Sequence, residues 1–219
     1  MKSFTKIVAT IIMLMMAVLF TAECMNAQTH NGHGYVDLGL PSGTLWATCN
    51  VGASKPEDYG DYFAWGETQP KTTYNWENYK WYNGSSTTKY TGSDGLITLQ
   101  PSDDAATANW GGGWQMPSRA QWKELLDNTT KKWTTRNGVS GMLFEAKNGQ
   151  SLFLPAAGCR DGSSLIGAGS SGGYWSSSHS ADGSDGAWYL LFKSDYCDMI
   201  NTYRYYGLPV RPVRSARQN

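Results

Sequence analysis

The sequence predicts an α+β domain, with one or two helices packed on short, mostly antiparallel strands joined by long loops. Three observations lead there. One helical period is clear, after Pro117. Most of the remaining apolar runs are short and bounded by turn residues such as Pro41-Ser42-Gly43 and Asn148-Gly149. A long polar and aromatic stretch, Lys71 to Gly95, shows no period at all.

The first residues read as a leader. Lys2 and Lys6 make a basic start, and Ile7 to Ala22 form an apolar run of 16 residues, short for a membrane span. Met25-Asn26-Ala27 fits a small-residue cleavage site, so residues 1–27 are expected to be a signal peptide and Gln28 the mature N-terminus. Cys24 suggests a lipoprotein, but Thr21 and Glu23 fit the Leu-x-small-Cys pattern poorly. The mature chain is then expected to be unacylated, secreted or displayed at the cell surface, with no transmembrane segment.

Residues 28–34 read as a linker, 35–214 as one domain and 215–219 as a tail. Val36–Leu40 and Thr44–Val51 are strand candidates about the Pro41-Ser42-Gly43 turn. Asp58–Glu67 is dense in aromatics and glycine and reads as a packed irregular segment or a strand. Lys71–Gly95 reads as a surface loop, with Trp76, Trp81 and Tyr82 as its most exposed aromatics. A weaker helix is expected over Asp103–Asn109. The better one spans about 119–128. Ser118 and Gln121 form a capping box ahead of it, and Trp122, Leu125 and Leu126 make one apolar face. Met142–Ala146 and Ser151–Pro155 flank Asn148-Gly149 as a hairpin. Ala187–Lys193 alternates, with Trp188, Leu190 and Phe192 expected in the core and Ala187, Tyr189, Leu191 and Lys193 pointing away. Met199–Tyr206 is its expected partner and Leu208–Arg214 a third strand, held to an edge or bulge by Pro209 and Pro212.

Residues 28–219 carry 16 basic and 17 acidic side chains. No basic stripe follows a phosphate backbone, so nucleic acid is not an expected partner. From Ala156 to Tyr206 there are 10 Ser, 8 Gly and 6 Tyr. That is the composition of a recognition surface: Tyr gives contact area at low entropic cost, Ser and Gly give adaptable hydrogen bonding. Catalytic and metal chemistry is poorly served. Gly167–Gly172 is a formal G-x-G-x-x-G and Gly169–Gly173 a formal G-x-S-x-G about Ser171, but a strand is expected to follow and not a helix. Asp182–Gly186 lacks the closing bidentate Glu of a calcium loop and reads as a solvated turn. Asp103-Asp104 fit a helix start better than a catalytic pair. Glu67 beside Trp65 lacks a second carboxylate at glycosidase spacing. Cys49, Cys159 and Cys197 lack a CxxC. They read mainly as unpaired thiols, with Cys159–Cys197 as the first disulfide to test.

Seven motifs then carry a resemblance: YVDLGLPSGTLWATCNVGA (35–53), DYFAWGE (61–67), DDAATANWGGGWQMPS (103–118), LPAAG (154–158), YWSSS (174–178), AWYLLF (187–192) and GLPVRPVR (207–214). Together, in this order, they resemble the Fibrobacter succinogenes major paralogous domain family, exported proteins common in gut Bacteroidetes. The resemblance implies a C-type-lectin-like fold, shared with formylglycine-generating enzymes and with the variable proteins of diversity-generating retroelements. Two departures stand out. Gln115 occupies the position of an expected Arg, which puts a buried ion pair there in doubt, and Pro209 replaces a small polar residue. Trp46, Trp110, Trp114, Trp122, Trp175 and Trp188 are expected as framework.

The resemblance places the run from Tyr196 to Tyr206 where variable proteins show their changing positions. The expected ligand-binding residues are Tyr189, Tyr196, Asp198, Ile200, Thr202, Tyr203, Tyr205 and Tyr206, joined by Asp161 and His179. Met199, Arg204 and Gly207 are expected as framework. The expected function is an adhesin-like module that binds a protein or glycan, with no catalytic residue, metal or cofactor. The alternatives are an enzyme on the same scaffold, either a cysteine-dependent protein modifier or a glycan hydrolase, and a structural tip subunit of a surface assembly.

Overall fold

The architecture comes from a computed structural model that describes residues 28–180, 183 and 185–216. The expected signal peptide (1–27, with Cys24), Asp182 and Ser184 lie outside the described residues. The described chain is a β-rich α+β unit. Its strands are β1 (Gln28–His30), β2 (His33–Asp37), β3 (Thr44–Ala47), β4 (Thr129–Arg136), β5 (Val139–Ala146), β6 (Ser151–Pro155), β7 (Cys159–Asp161), β8 (Ser164–Ile166), β9 (Gly172–His179), β10 (Gly186–Lys193), β11 (Tyr196–Tyr203) and β12 (Val213–Ser215). They form four small antiparallel sheets, β1-β2-β3-β12, β4-β5-β6, β7-β8 and β9-β10-β11. Two helices complete it, α1 (Ala105–Trp110) and α2 (Arg119–Asn128). No helix among the described residues is long and apolar enough to cross a membrane.

Helix α2 forms where the local signals put it. The Ser118 hydroxyl accepts the Gln121 N–H, and the Gln121 side chain accepts the Ser118 N–H, which satisfies two otherwise orphaned donors. Its face of Trp122, Leu125 and Leu126 is buried, and each leucine so buried contributes roughly 1.5–3 kcal/mol. Helix α1 starts after Asp104, whose carboxylate accepts the N–H groups of Thr107 (2.9 Å) and Met116 (2.8 Å). The Asp103-Asp104 pair thus sits at a helix start, as expected. Gln115 is exposed and its backbone pairs with Val213, so the buried carboxylate at this corner is satisfied by amides and not by a cation.

Sheet β9-β10-β11 is covered on both faces. Tyr174, Leu190, Phe192 and Met199 join a core with α2 and the β4–β6 sheet. Neighbouring Trp175 and Ala187 belong to a second core with Trp65, Tyr90 and α1. Two-sided burial explains one departure from the alternation read for β10. Leu190 and Phe192 are buried as expected and Trp188 is half-buried, but Ala187, expected to point outward, is fully buried on the second face.

Four segments differ from the sequence reading. The expected linker 28–34 is a hairpin, β1–β2, turning on Asn31 and Gly32 with φ of 49° and 79°. It is fastened by His33 stacked on Trp110 (centroids 3.6 Å, 4° between planes) and by Trp114 Nε1 donating to the His30 carbonyl (3.2 Å). Strand β4 was not expected. Its Thr and Lys run is polar on nearly all sides, and the signal lay in Asn137-Gly138, both at positive φ in the β4–β5 turn. The third strand beside β10 is β9, not Leu208–Arg214. The two prolines break that last segment, which straps across the second core. Phe63 pairs with Leu208, the Val51 N–H donates to the Val210 carbonyl, and only Val213–Ser215 is a strand, on β3. Lys71–Gly95 is not simply a surface loop. Tyr74, Tyr79 and Tyr90 are buried, and Trp76, Trp81 and Tyr82 are only half-exposed against a third aromatic cluster.

Candidate functional site

Cross-strand register decides how the expected ligand-binding residues assemble. Tyr189 opposes Ile200, Leu191 opposes Asp198, Lys193 opposes Tyr196, and Ala187 opposes Thr202. Opposed residues share a face. Tyr196, Asp198, Ile200 and Thr202 therefore lie on the same side of β11 as Tyr189 on β10. This is the side of the second core, which stops short of β11, the terminal strand. Tyr196 is accordingly 41% exposed, Asp198 is exposed, and Ile200 and Thr202 are half-buried. Tyr189 is half-buried with its ring edge-on to Trp175 (6.0 Å). Burial pushes its phenol up to about 12, and the neighbouring Cys159, Tyr196 and Tyr206 add to the shift.

The chain then turns at Arg204. Three tyrosines converge there: Tyr203 lies 5.8 Å from Tyr205 at 14° and 6.4 Å from Tyr206 at 28°, and Tyr205 lies 4.6 Å from Tyr206. Trp76, from the 71–95 segment, meets Tyr203 (5.9 Å) and Tyr205 (5.1 Å) edge-on. Tyr203 is 52% exposed and its neighbours are half-exposed. Burial, then the adjacent Tyr206 and the Asp161 carboxylate, raise the Tyr205 phenol well above its usual value.

The turn has a firm base. Arg204 is fully buried, and its Nη1 donates to the carbonyls of Lys89 (2.9 Å) and Tyr90 (3.3 Å). Gly207 exchanges two backbone hydrogen bonds with Arg160 (2.8 and 3.0 Å). Gly207 carries no side chain because the Tyr74 ring lies against it, 2.6 Å from where a Cβ would stand. Met199, Arg204 and Gly207 are all buried, in keeping with a framework role.

The structure thus brings together Tyr189, Tyr196, Tyr203, Tyr205 and Tyr206, with Asp161 beside Tyr205 and Asp198, Ile200 and Thr202 on the adjoining strand face. His179 stands apart. It shares a cross-strand row with Ala187 and Thr202, but it is on β9 with its ring 5.8 Å from Trp65. The sequence reading left Trp76 out of the site, although it had marked that ring as exposed.

A cleft of about 380 Å³ adjoins the tyrosine group across Tyr74 and Gly207. It is lined by Gly60, Asp61, Tyr62, Pro70, Lys71, Thr72, Tyr74 and Arg160. The Arg160 guanidinium lies 5.0 Å from the centre of the Tyr62 ring. Nothing in the sequence joined these residues, because Arg160 is about 90 positions from the others.

The three thiols at 49, 159 and 197 are free. Cys159 packs against the second core and Cys197 against the first, on opposite faces of the β9-β10-β11 sheet. The disulfide singled out for testing is therefore not formed. Burial raises both thiols, Cys197 to about 11. Residues 167–170 form turns that lead into β9, with the Ser171 hydroxyl donating to the Gly167 carbonyl (3.2 Å). Glu67 pairs with Lys71 (3.0 Å). Among the described residues no group of three or more His, Cys, Asp or Glu side chains could hold a metal ion.

A family model described as a domain of unknown function, DUF8237, matches residues 142–213. The match runs from β5 to the first residue of β12 and includes every expected ligand-binding residue. No curated protein and no solved structure matches the chain.

Proposed function

We propose that the chain is an adhesin-like binding module, secreted or displayed at the cell surface on a C-type-lectin-like scaffold, that recognises a protein or glycan through its tyrosine-rich C-terminal face. One observation carries the reading: Tyr203, Tyr205, Tyr206 and Trp76 form a single partly exposed aromatic group on a turn held by a buried arginine. Rings already packed on one another lose little freedom when a ligand covers them, so more of the contact area is retained as affinity. Cysteine-dependent chemistry finds little support, since the two C-terminal thiols are half-buried, raised in pKa and separated by a sheet. The expected leader places the module outside the cytoplasm.

The test is a triple variant, Tyr203, Tyr205 and Tyr206 to Ala, compared with wild type on surface-protein and glycan arrays. Truncation of aromatic hot spots typically costs about 2–4 kcal/mol of binding. The expected outcome is loss of captured ligand with a near-native melting curve. A large fall in melting temperature with undiminished binding would show these rings to be core and not contact surface.

A further inference from the structure

We infer that the cleft between residues 60–74 and β7 is a subsite for one neutral, hexose-sized sugar residue. The inference deepens the binding reading, on which it rests, and narrows the ligand to a glycan. The volume of about 380 Å³ lies near the lower end of the roughly 300–1,000 Å³ of small-ligand sites, and so suits one ring and not an extended chain.

The hydrogen-bonding inventory of the walls points to hydroxyl groups. The wall tyrosines are already engaged. Tyr62 donates to the Ala157 carbonyl (2.6 Å), and Tyr74 donates to the Tyr62 carbonyl (2.6 Å) while accepting the Lys71 N–H (3.2 Å). Lys71 Nζ is held by Glu67 (3.0 Å) and the Asn78 carbonyl (3.2 Å). Both side chains are buried and form a fixed floor beneath the cleft. Three polar groups remain uncommitted among the described residues: the Asp61 carboxylate, the Thr72 hydroxyl and the Arg160 guanidinium, whose one side-chain contact is the Tyr62 ring.

Arg160 offers only donors and Asp61 only acceptors, and they share a cleft without pairing. A sugar hydroxyl donates and accepts, so vicinal hydroxyls can answer both groups at once. Charge does not favour an anion. Lys71 is neutralised by Glu67, and Arg160 faces the cleft together with Asp61, so the lining offers an anion no net attraction. The backbone that carries Arg160 is fixed by its two bonds to Gly207. The same Gly207 precedes no gap: Tyr206 is its neighbour in sequence, so further sugar residues leaving the cleft meet the tyrosine group.

The experiment is an amide NMR titration of the purified protein with methyl glucoside, methyl galactoside, methyl mannoside and N-acetylglucosamine. Glucuronate and a short acidic peptide serve as anionic comparisons. At least one neutral sugar is expected to move resonances of residues 60–62, 70–74 and 160–162. Asp61→Asn and Arg160→Gln are each expected to weaken that binding by about tenfold or more, the loss for a hydrogen bond to a charged group. Asp61 is exposed, so its variant separates binding from folding should Arg160→Gln unsettle Tyr62. Absence of shifts with all four neutral sugars would overturn the subsite, as would shifts unchanged in Asp61→Asn. Tighter binding of glucuronate or the peptide would make it an anion site instead. Surface-protein capture that is lost in the triple tyrosine variant, beside a cleft that binds no sugar, would sink this inference and leave the binding reading standing.

Discussion

Asp103 ties the 71–95 segment to the framework, and its removal tests whether that segment is a structural part of the site. The carboxylate is 3% exposed and accepts from Lys89 Nζ (2.6 Å), Tyr90 Oη (2.7 Å) and Lys80 Nζ (3.3 Å). Asp103→Ala leaves the Lys89 ammonium and the fully buried Tyr90 hydroxyl without this acceptor. Breaking a buried pair costs about 3–5 kcal/mol. Lys89 is 21% exposed, which argues for the lower end. Lys80, 48% exposed, adds less than about 1 kcal/mol. We therefore expect roughly 3–4 kcal/mol, or a melting temperature lower by roughly 6–15 °C for a domain of this size. Asp103→Asn keeps the shape and one acceptor and should cost about 2 kcal/mol. The sign with pH follows from the shift. Burial alone would raise the Asp103 pKa, but the bonds from Lys89 and Tyr90 and the charges of both lysines hold it below the ordinary value. A depressed carboxylate contributes stability that is present above the unfolded pKa of about 3.9 and is lost as pH falls through the folded value. Urea unfolding of wild type and Asp103→Ala at pH 7 and near pH 3 is the assay. The difference should be full at pH 7 and shrink at the acid end. A difference under about 1 kcal/mol at pH 7, or one equal at both pH values, would refute the account.

Three further outcomes are expected. Asp104→Asn should destabilise by about 1–3 kcal/mol, although it removes a buried charge, because the amide can accept from Thr107 or Met116 but presents a donor to the other; thermal melts at pH 7 check this. Gly172→Ala should cost about 1–3 kcal/mol or more, since a methyl there overlaps the Phe192 ring, and the urea midpoint reports it. Native Cys197 should alkylate at neutral pH at least about a hundredfold more slowly than a free thiol of pKa about 8.5, and non-reducing peptide maps should show no Cys159–Cys197 link.

What was legible in the sequence was local. Helix α2 came from a capping box and three apolar positions on one face, all within ten residues of chain. The β5–β6 hairpin came from Asn148-Gly149, and β10 from its alternation. What was not legible depended on distant partners. A strand over Tyr174–Ser178 was expected, and β9 (GGYWSSSH) is that strand, but with Gly172–Ser177 wholly buried no alternation marked it as the partner of β10. The last segment carries apolar residues at strand spacing, yet Pro209 and Pro212 keep it from completing a ladder, and it crosses to β3 instead. The tyrosines of the site were legible from composition and from the resemblance. Trp76 and Arg160 were not, because the fold brings them from segments far along the chain.

The division between framework and face is energetic as well as spatial. The β9-β10-β11 sheet is covered by one core on each side, and the buried guanidiniums of Arg204 and Arg211 are held by carbonyl and amide oxygens at 2.8–3.3 Å. None of those bonds involves the outward side chains of β11. Among the described residues, Tyr196, Ile200 and Thr202 make no side-chain hydrogen bond, and the Asp198 carboxylate accepts only the next residue's N–H (2.7 Å). Of these four, Tyr196 and Asp198 are exposed, and exposed positions without such ties usually change stability by no more than about 0.5 kcal/mol when substituted. Much of the core energy of this sheet lies behind the strand, at Leu190, Phe192 and Met199. Asp198 is the partial exception. Its bond to the Met199 amide occupies a donor on the terminal strand, where an open edge would otherwise invite pairing with another chain. The polar residue in the middle of an aromatic face therefore has a reason to be there even before any ligand is considered.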